Sequence, residues 1–329
     1  MLKYCNGSLR SQTTCSILVG MKPLRLTSMF VYLAALLMAC NVSKSLSLDD
    51  ARAAYAHNSE IISLIDSATE VQQFCGTEYG IKPEKGVLRF QPGSASHLVW
   101  EVTAVEPMSL QPIVQTLFAT KEAALAKKAA LEKDGKEVYL SPRNPLLVSK
   151  KPAPLLESWI SWPYERKIER VMQLIMYRYA GKELKRKDAE TLARFLAEKA
   201  TEEFLRKKLN PASPVLARYI SEERDARTFA NLFPDFAIRV KNLYENKDPT
   251  LNTETVQKVR TMLLRTWLVD FHQKYADRFL TNKYVQFGEP LPGDAEIAAW
   301  ENHYEHWKDY NTAFMQAGES VAAFVAELR

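Results

Sequence analysis

The sequence has 329 residues, of which 47% are hydrophobic and 25% are charged, with 11 glycines and a formal net charge of +5. This composition is typical of a folded globular protein and excludes a wholly disordered or collagen-like chain. The charge is mild, and the sequence contains no recognisable nucleic-acid-binding motif, so we expect no nucleic-acid partner.

An apolar run near the N-terminus has the form of an export signal. Residues 29–39 carry no charge and follow Lys22 and Arg25. A basic flank followed by about 7–15 apolar residues and a small residue predicts secretion. The run is shorter than the ~20 residues that a membrane-spanning helix requires. A start at Met21 would give the signal a conventional length, and the choice between Met1 and Met21 stays open.

The end of this run, Leu37-Met-Ala-Cys40, resembles the lipobox of bacterial lipoproteins. The resemblance implies cleavage before Cys40, lipid attachment to its thiol, and anchoring in the bacterial envelope facing the periplasm. Asn41, in place of Asp, implies the outer rather than the inner membrane. A plain secretory signal is the alternative. We therefore predict a signal peptide over 1–39 and a lipidated tether over 40–47.

A helical segment is predicted over residues 48–77. Ser47 and Asp50 have the form of a capping box, in which the first side chain accepts a hydrogen bond from the start of the helix. Further along, Ile61 and Ile65 begin an apolar stripe at helical spacing. The stripe ends at Cys75, which we expect to be a small buried hydrophobic residue rather than a reactive thiol.

Residues 78–150 change to strand-like alternation and predict a small α+β module with one helix over a short sheet. A helix is expected from Lys121 to Asp134, after the capping residue Thr120. The unit Phe118–Tyr139 resembles half of a SPOR-type peptidoglycan-binding repeat, although the sequence shows no second copy. Strands are expected at 87–90, 97–105, 112–118, 137–140 and 146–148.

The proline-rich residues 151–163 predict an extended linker that ends this module. We expect Trp159 and Trp162 to pack the linker onto the next domain rather than to bind a ligand. Only helices are predicted from 164 to 329, with one helix ending near Ala230 and Pro234 starting or kinking another. The predicted fold class is therefore α+β, predominantly α, with a small α+β module followed by a helical bundle.

The last predicted helix, Asp294–Leu328, carries a heptad seam that starts at Ile297 and includes Asn311 and Gly318 as its two non-apolar members. We expect this seam to pack inside the bundle of the same chain. Pairing with a helix of a partner is the alternative.

The sequence names no catalytic residue and predicts no cofactor. His303 and His306 lie one helical turn apart, and His272 is the only histidine expected near them. These three are the only candidate metal ligands, and a transition-metal site needs at least three protein ligands. We expect no metal site here.

Two functions follow from these observations. The first is a membrane-anchored, non-catalytic envelope lipoprotein that serves as a scaffold or docking adaptor for another envelope protein. The alternative is an exported hydrolase acting on cell-wall or lipid substrates, with a site between the two modules near Trp159–Tyr164. A cleft lined by acids or by the three candidate histidines would favour the hydrolase.

Overall fold

The computed structural model describes residues 45–82, 88–93, 99–143, 153–185, 188–248, 250–304 and 306–329. The predicted signal peptide, Cys40 and the predicted strand at 146–148 lie outside these residues. From Ser45 to Arg329 the chain forms a single compact unit. The predicted class, a predominantly helical α+β fold, is confirmed.

Six short strands and eleven α-helices form within the described residues. The strands are β1 (Leu46–Ser47), β2 (Leu88–Gln91), β3 (Val99–Val105), β4 (Pro112–Phe118), β5 (Glu137–Arg143) and β6 (Ala153–Leu156). The helices are α1 (Leu48–Ala54), α2 (Ser59–Tyr79), α3 (Lys121–Lys133), α4 (Tyr164–Arg178), α5 (Ala189–Lys208), α6 (Pro214–Glu245), α7 (Thr253–Gln273), α8 (Tyr275–Arg278), α9 (Asp294–Tyr304), α10 (Trp307–Gln316) and α11 (Val321–Glu327). None of these helices is both long and apolar enough to cross a bilayer.

The strands of the described residues form two three-stranded sheets. In the first, β2 lies between β1, which is antiparallel to it, and β6, which is parallel to it. In the second, β3 lies between β4 and β5, and both pairs are antiparallel. Helix α3 covers the second sheet through Ala124 and Leu131, which pack against Val102 and Ala104. The second sheet with α3 has the expected arrangement of one helix over a short sheet, whereas β2, which also lies in residues 78–150, belongs to the first sheet.

The proline-rich segment enters the fold instead of spanning a gap. Strand β6, within the predicted linker, pairs with β2. Pro154 is tolerated there because β6 is an edge strand, where a missing N–H need not break a ladder. Trp159 is buried and stacks on Trp162 with 5.4 Å between ring centroids. Trp159 therefore packs in a hydrophobic core together with residues of the helices that follow, as the sequence predicted.

Two hydrophobic cores hold the helices together. The larger lies among α2, α4, α5, α10 and α11. The second is rich in phenylalanine and lies among α6, α7, α9 and the segment before α9. The prediction that a helix ends near Ala230 was wrong, since α6 continues through Pro234. A proline inside a helix removes one backbone hydrogen bond, but the buried Phe233 and Phe236 on either side hold this helix in the second core.

The heptad seam is real, but the prediction of one continuous helix was wrong. The chain forms α9, α10 and α11, and Gly318 adopts a left-handed φ of 73° between the last two. The seam residues Phe314, Val321 and Val325 are nevertheless buried in the core of the same chain. The seam therefore packs within the chain.

Candidate functional site

A cavity of about 500 Å³ opens where the second sheet meets the helices. Its walls come from β5, α5, α6, α9 and the segment around residues 283–287. This volume lies within the range of small-molecule sites, which is roughly 300–1,000 Å³. The polar and aromatic side chains that define it are Arg143, Arg194, Lys283, Tyr284, Trp300 and Tyr304.

Three basic side chains line the cavity. Arg143, Arg194 and Lys283 line it, and no carboxylate does so among the described lining residues. The side chains of Arg143 and Arg194 are 20% and 26% exposed, and Lys283 is exposed. We call this feature the cationic cavity.

Both arginines are held by carboxylates that do not line the cationic cavity. Arg143 on β5 donates its Nε–H to buried Glu101 on the neighbouring strand β3. Arg194 on α5 donates to Glu190, one turn earlier in the same helix. Burial lowers the pKa of Arg194, Glu190 opposes this effect, and the charge of Arg143 adds to it. The two guanidinium groups are therefore close enough to repel each other.

Aromatic rings form the apolar wall. Tyr284 stacks face to face on Phe229, with 4.2 Å between centroids and 3° between the ring planes. Trp300 packs against Phe287 at 5.1 Å. The hydroxyl of Tyr284 is hydrogen-bonded to that of Tyr304. These contacts fix the rings, so the wall is rigid rather than adaptable.

A buried acid lies behind Lys283. Burial raises the pKa of Glu223 to about 9, the carboxylates of Glu198 and Glu169 add to this effect, and Lys283 and Arg166 oppose it. The raised pKa favours the protonated form of Glu223, and the guanidinium group of Arg166, 3.7 Å away, favours the ionised form.

Helix α9, which carries Trp300, is fixed by a buried ion pair. Arg260 donates its Nε–H to Asp294 Oδ1 at 2.6 Å and an Nη2–H to the carbonyl of Pro292 at 2.8 Å. Tyr244 donates its hydroxyl to Asp294 Oδ2 at 2.6 Å. This network connects α6, α7 and the start of α9, so it places the aromatic wall.

A second cavity, of about 610 Å³, has a different electrostatic character. Its polar lining includes Lys241 together with Glu245 and Glu301. Two carboxylates and one lysine line it, so it lacks the cluster of basic side chains and the stacked rings of the cationic cavity. The cationic cavity is therefore the better candidate site.

The structure describes the side chains of two of the three candidate histidines. His272 Nε2 lies 3.1 Å from the carbonyl oxygen of Phe287. His306 precedes α10, and its ring centroid lies 6.2 Å from that of Tyr310. His303 lies on α9, and its side chain is outside the described part of the chain. No three His, Cys, Asp or Glu side chains are placed to hold a metal ion among the described residues.

Cys75 is buried with its Sγ 3.4 Å from Met172 Sδ. Burial raises the pKa of its thiol to about 12. The thiol is therefore unreactive at neutral pH, as the sequence predicted.

Residues 39–329 match a protein family described as "Putative aminopeptidase". The chain belongs to this family. No curated protein and no solved structure matches it. The description of this family agrees in part with the hydrolase alternative.

Many aminopeptidases activate water with bound metal ions. A catalytic metal in this family member would need a set of ligands among its own side chains. The metallopeptidase motif His-Glu-x-x-His does not occur in the sequence. The described residues also supply no three-ligand cluster. They therefore do not fit such a metal, and we derive no catalytic step through one.

Proposed function

We propose that this member of the aminopeptidase family is a lipid-anchored envelope protein that binds its ligand in the cationic cavity without hydrolysing it. In this role it would act as an adaptor between its ligand and another envelope protein. The observation that carries the proposal is the set of basic side chains that line the cavity.

An aminopeptidase has to hold the N-terminal end of its substrate. The α-amino group has a pKa near ~8, so most of it is protonated at neutral pH. A site for this ammonium group needs a carboxylate or another acceptor close to it. Lys283 would repel an ammonium group, and the guanidinium groups of Arg143 and Arg194, whose charges are balanced by Glu101 and Glu190, offer hydrogen-bond donors to an anion and no acceptor to an ammonium group. The cavity thus favours the C-terminal carboxylate of a peptide. An aminopeptidase, by contrast, must recognise the N-terminal amino group.

The N-terminal sequence supports the envelope location. The basic flank, the apolar run and Leu37-Met-Ala-Cys40 favour a lipid attached at Cys40. Several acyl chains on one protein give firm membrane anchoring, whereas one chain gives only marginal binding. Asn41 favours the outer membrane. A protein that is anchored in the outer membrane and carries a binding cavity could act as an adaptor.

A second candidate function is an exported peptidase, which the family match favours. An assay of hydrolysis separates the two. The purified protein is incubated with p-nitroanilides of alanine, leucine, lysine and glutamate, after chelation and again with added Zn²⁺, Mn²⁺ or Co²⁺. We expect no release of p-nitroaniline above the blank in any condition.

Turnover that is lost on chelation and restored by one metal would contradict the binding function. The matched control is Arg194→Gln, which changes the cationic cavity. A contaminating peptidase would release p-nitroaniline equally in preparations of wild type and Arg194→Gln. Its activity would also elute separately from the protein on gel filtration.

A further inference from the structure

The three cations of the cationic cavity come from three separate elements. Arg143 ends β5, Arg194 lies in the second turn of α5, and Lys283 lies in the segment between α8 and α9. A chance cluster of surface charges would commonly lie along one helix face. Here the fold brings distant residues to one concave surface, where low-dielectric walls strengthen the field.

The arginines are preorganised. Glu101 holds Arg143, and Gln115 holds Glu101 through a hydrogen bond of 2.9 Å from its Nε2. Glu190 holds Arg194. A planar guanidinium group held in one orientation can donate two parallel hydrogen bonds to a carboxylate, which gives both affinity and orientation. Little side-chain freedom remains to be lost on binding.

The wall next to these cations is aromatic. Trp300 and Tyr139 are hydrogen-bonded to each other, and Tyr139 is also hydrogen-bonded to Glu296. The polar edges of these rings are thus engaged with protein groups. An apolar group of a ligand would contact the remaining ring surface, while its anionic group reaches Arg143 and Arg194.

We infer that the cationic cavity binds a carboxylate that is attached to an apolar or aromatic group. The carboxyl terminus of a peptide and a free aryl or alkyl acid share this chemistry. A cavity of about 500 Å³ has room for a ligand of the size of a short peptide end. This inference rests on the proposed binding function and names its ligand class.

The test compares acids with their neutral amides. The full chain, purified in detergent, is titrated calorimetrically with N-acetyl-Ala-Ala-Phe and its C-terminal amide, and with 3-phenylpropionate and 3-phenylpropanamide. We expect each acid to bind at least tenfold more tightly than its amide, with weaker acid binding at high salt. Tighter binding of the peptide acid identifies a peptide terminus as the source, and tighter binding of 3-phenylpropionate identifies a free acid.

Variants locate the binding. Lys283→Gln changes an exposed side chain and is expected to fold normally, and it should weaken acid binding at least threefold without changing amide binding. Arg194→Gln should do the same. The matched control is Lys258→Gln, which removes an exposed lysine of α7 that does not line the cavity.

Equal binding of acid and amide in both pairs would overturn the inference, as would tighter binding of phenyl phosphate than of either acid. Unchanged acid binding in a folded Lys283→Gln protein would also overturn it. Cleavage of the peptide during the titration would contradict the proposed function instead, because it leaves the comparison of acid with amide intact.

Discussion

Glu101 and Arg143 form an ion pair across adjacent strands that supports the cationic cavity from within the sheet. The Glu101 side chain is only 7% exposed, and its second oxygen accepts a hydrogen bond from Gln115. The carboxylate therefore holds the arginine that lines the cavity and is itself held by the neighbouring strand.

Glu101→Gln should destabilise the protein. The change removes a charge-assisted hydrogen bond at a nearly buried position, so we expect the free energy of unfolding to fall by about 2 kcal/mol. Urea denaturation measures this change. Glu254→Gln is the matched control, because Glu254 pairs with Lys258 on the surface and is 76% exposed. Unfolding of both variants at the same urea concentration would show that the Glu101 carboxylate does not stabilise the protein.

Asp294→Asn should be more severe. It leaves Arg260, whose side chain is 9% exposed, without its charge partner. Breaking a buried pair in this way costs about 3–5 kcal/mol. Thermal unfolding of the variant should show a large fall in Tm, whereas Asp270→Asn, at a half-exposed pair with Lys274, should change Tm far less. Similar Tm values for the two variants would rule out a stabilising role for the Arg260–Asp294 pair.

Stability should depend on pH through Glu223. Its pKa is raised from an ordinary value of 4.5 to about 9 by burial and by Glu198 and Glu169. Between these values the folded protein keeps a proton that the unfolded chain has released, so stability is full below the lower value and is lost as pH rises toward the higher one. Glu223→Gln cannot ionise and should not show this loss.

Urea unfolding at pH 6, 7 and 8 measures the difference. Wild type should lose about 1 kcal/mol more per pH unit than Glu223→Gln over this range. Glu222→Gln, which changes the adjacent and more exposed carboxylate, serves as the control. Parallel stability curves for wild type and Glu223→Gln would show that Glu223 is ionised throughout.

Cys40→Ser should release the protein from the membrane. The change removes the thiol to which the lipid would be attached, so the protein should move to the soluble periplasmic fraction. Cys75→Ala is the control, because Cys75 is buried in the core and should not affect anchoring. Membrane retention of Cys40→Ser, measured by fractionation and immunoblotting, would argue against the lipid anchor.

Local features of the fold could be predicted because their signals are local. The β-branched and apolar residues of 112–118 and the capping residue Thr120 gave the bounds of β4 and the start of α3, and the predicted end of α3 differs by one residue. The heptad pattern near the C-terminus gave the buried face correctly. It could not reveal the breaks between α9, α10 and α11, because apolar spacing continues across both turns.

The cationic cavity could not be predicted from the sequence. Arg143, Arg194 and Lys283 are separated by 51 and 89 positions in the sequence, and no motif connects them. Only the packing of the second sheet against α5 and α9 brings them together. The spacing of His303 and His306, one helical turn apart, could suggest a metal site, yet His272 contacts a backbone carbonyl instead of joining a described ligand cluster.

The most direct test of binding without hydrolysis follows one peptide through both events. The protein is incubated with Ala-Phe at neutral pH, bound and free fractions are separated by equilibrium dialysis, and both are analysed by mass spectrometry. We predict that intact Ala-Phe is enriched with the protein and that no free alanine or phenylalanine accumulates, while Lys283→Gln lowers the enrichment. Accumulation of free alanine and phenylalanine in step with protein concentration, and absent without protein, would contradict the proposed function.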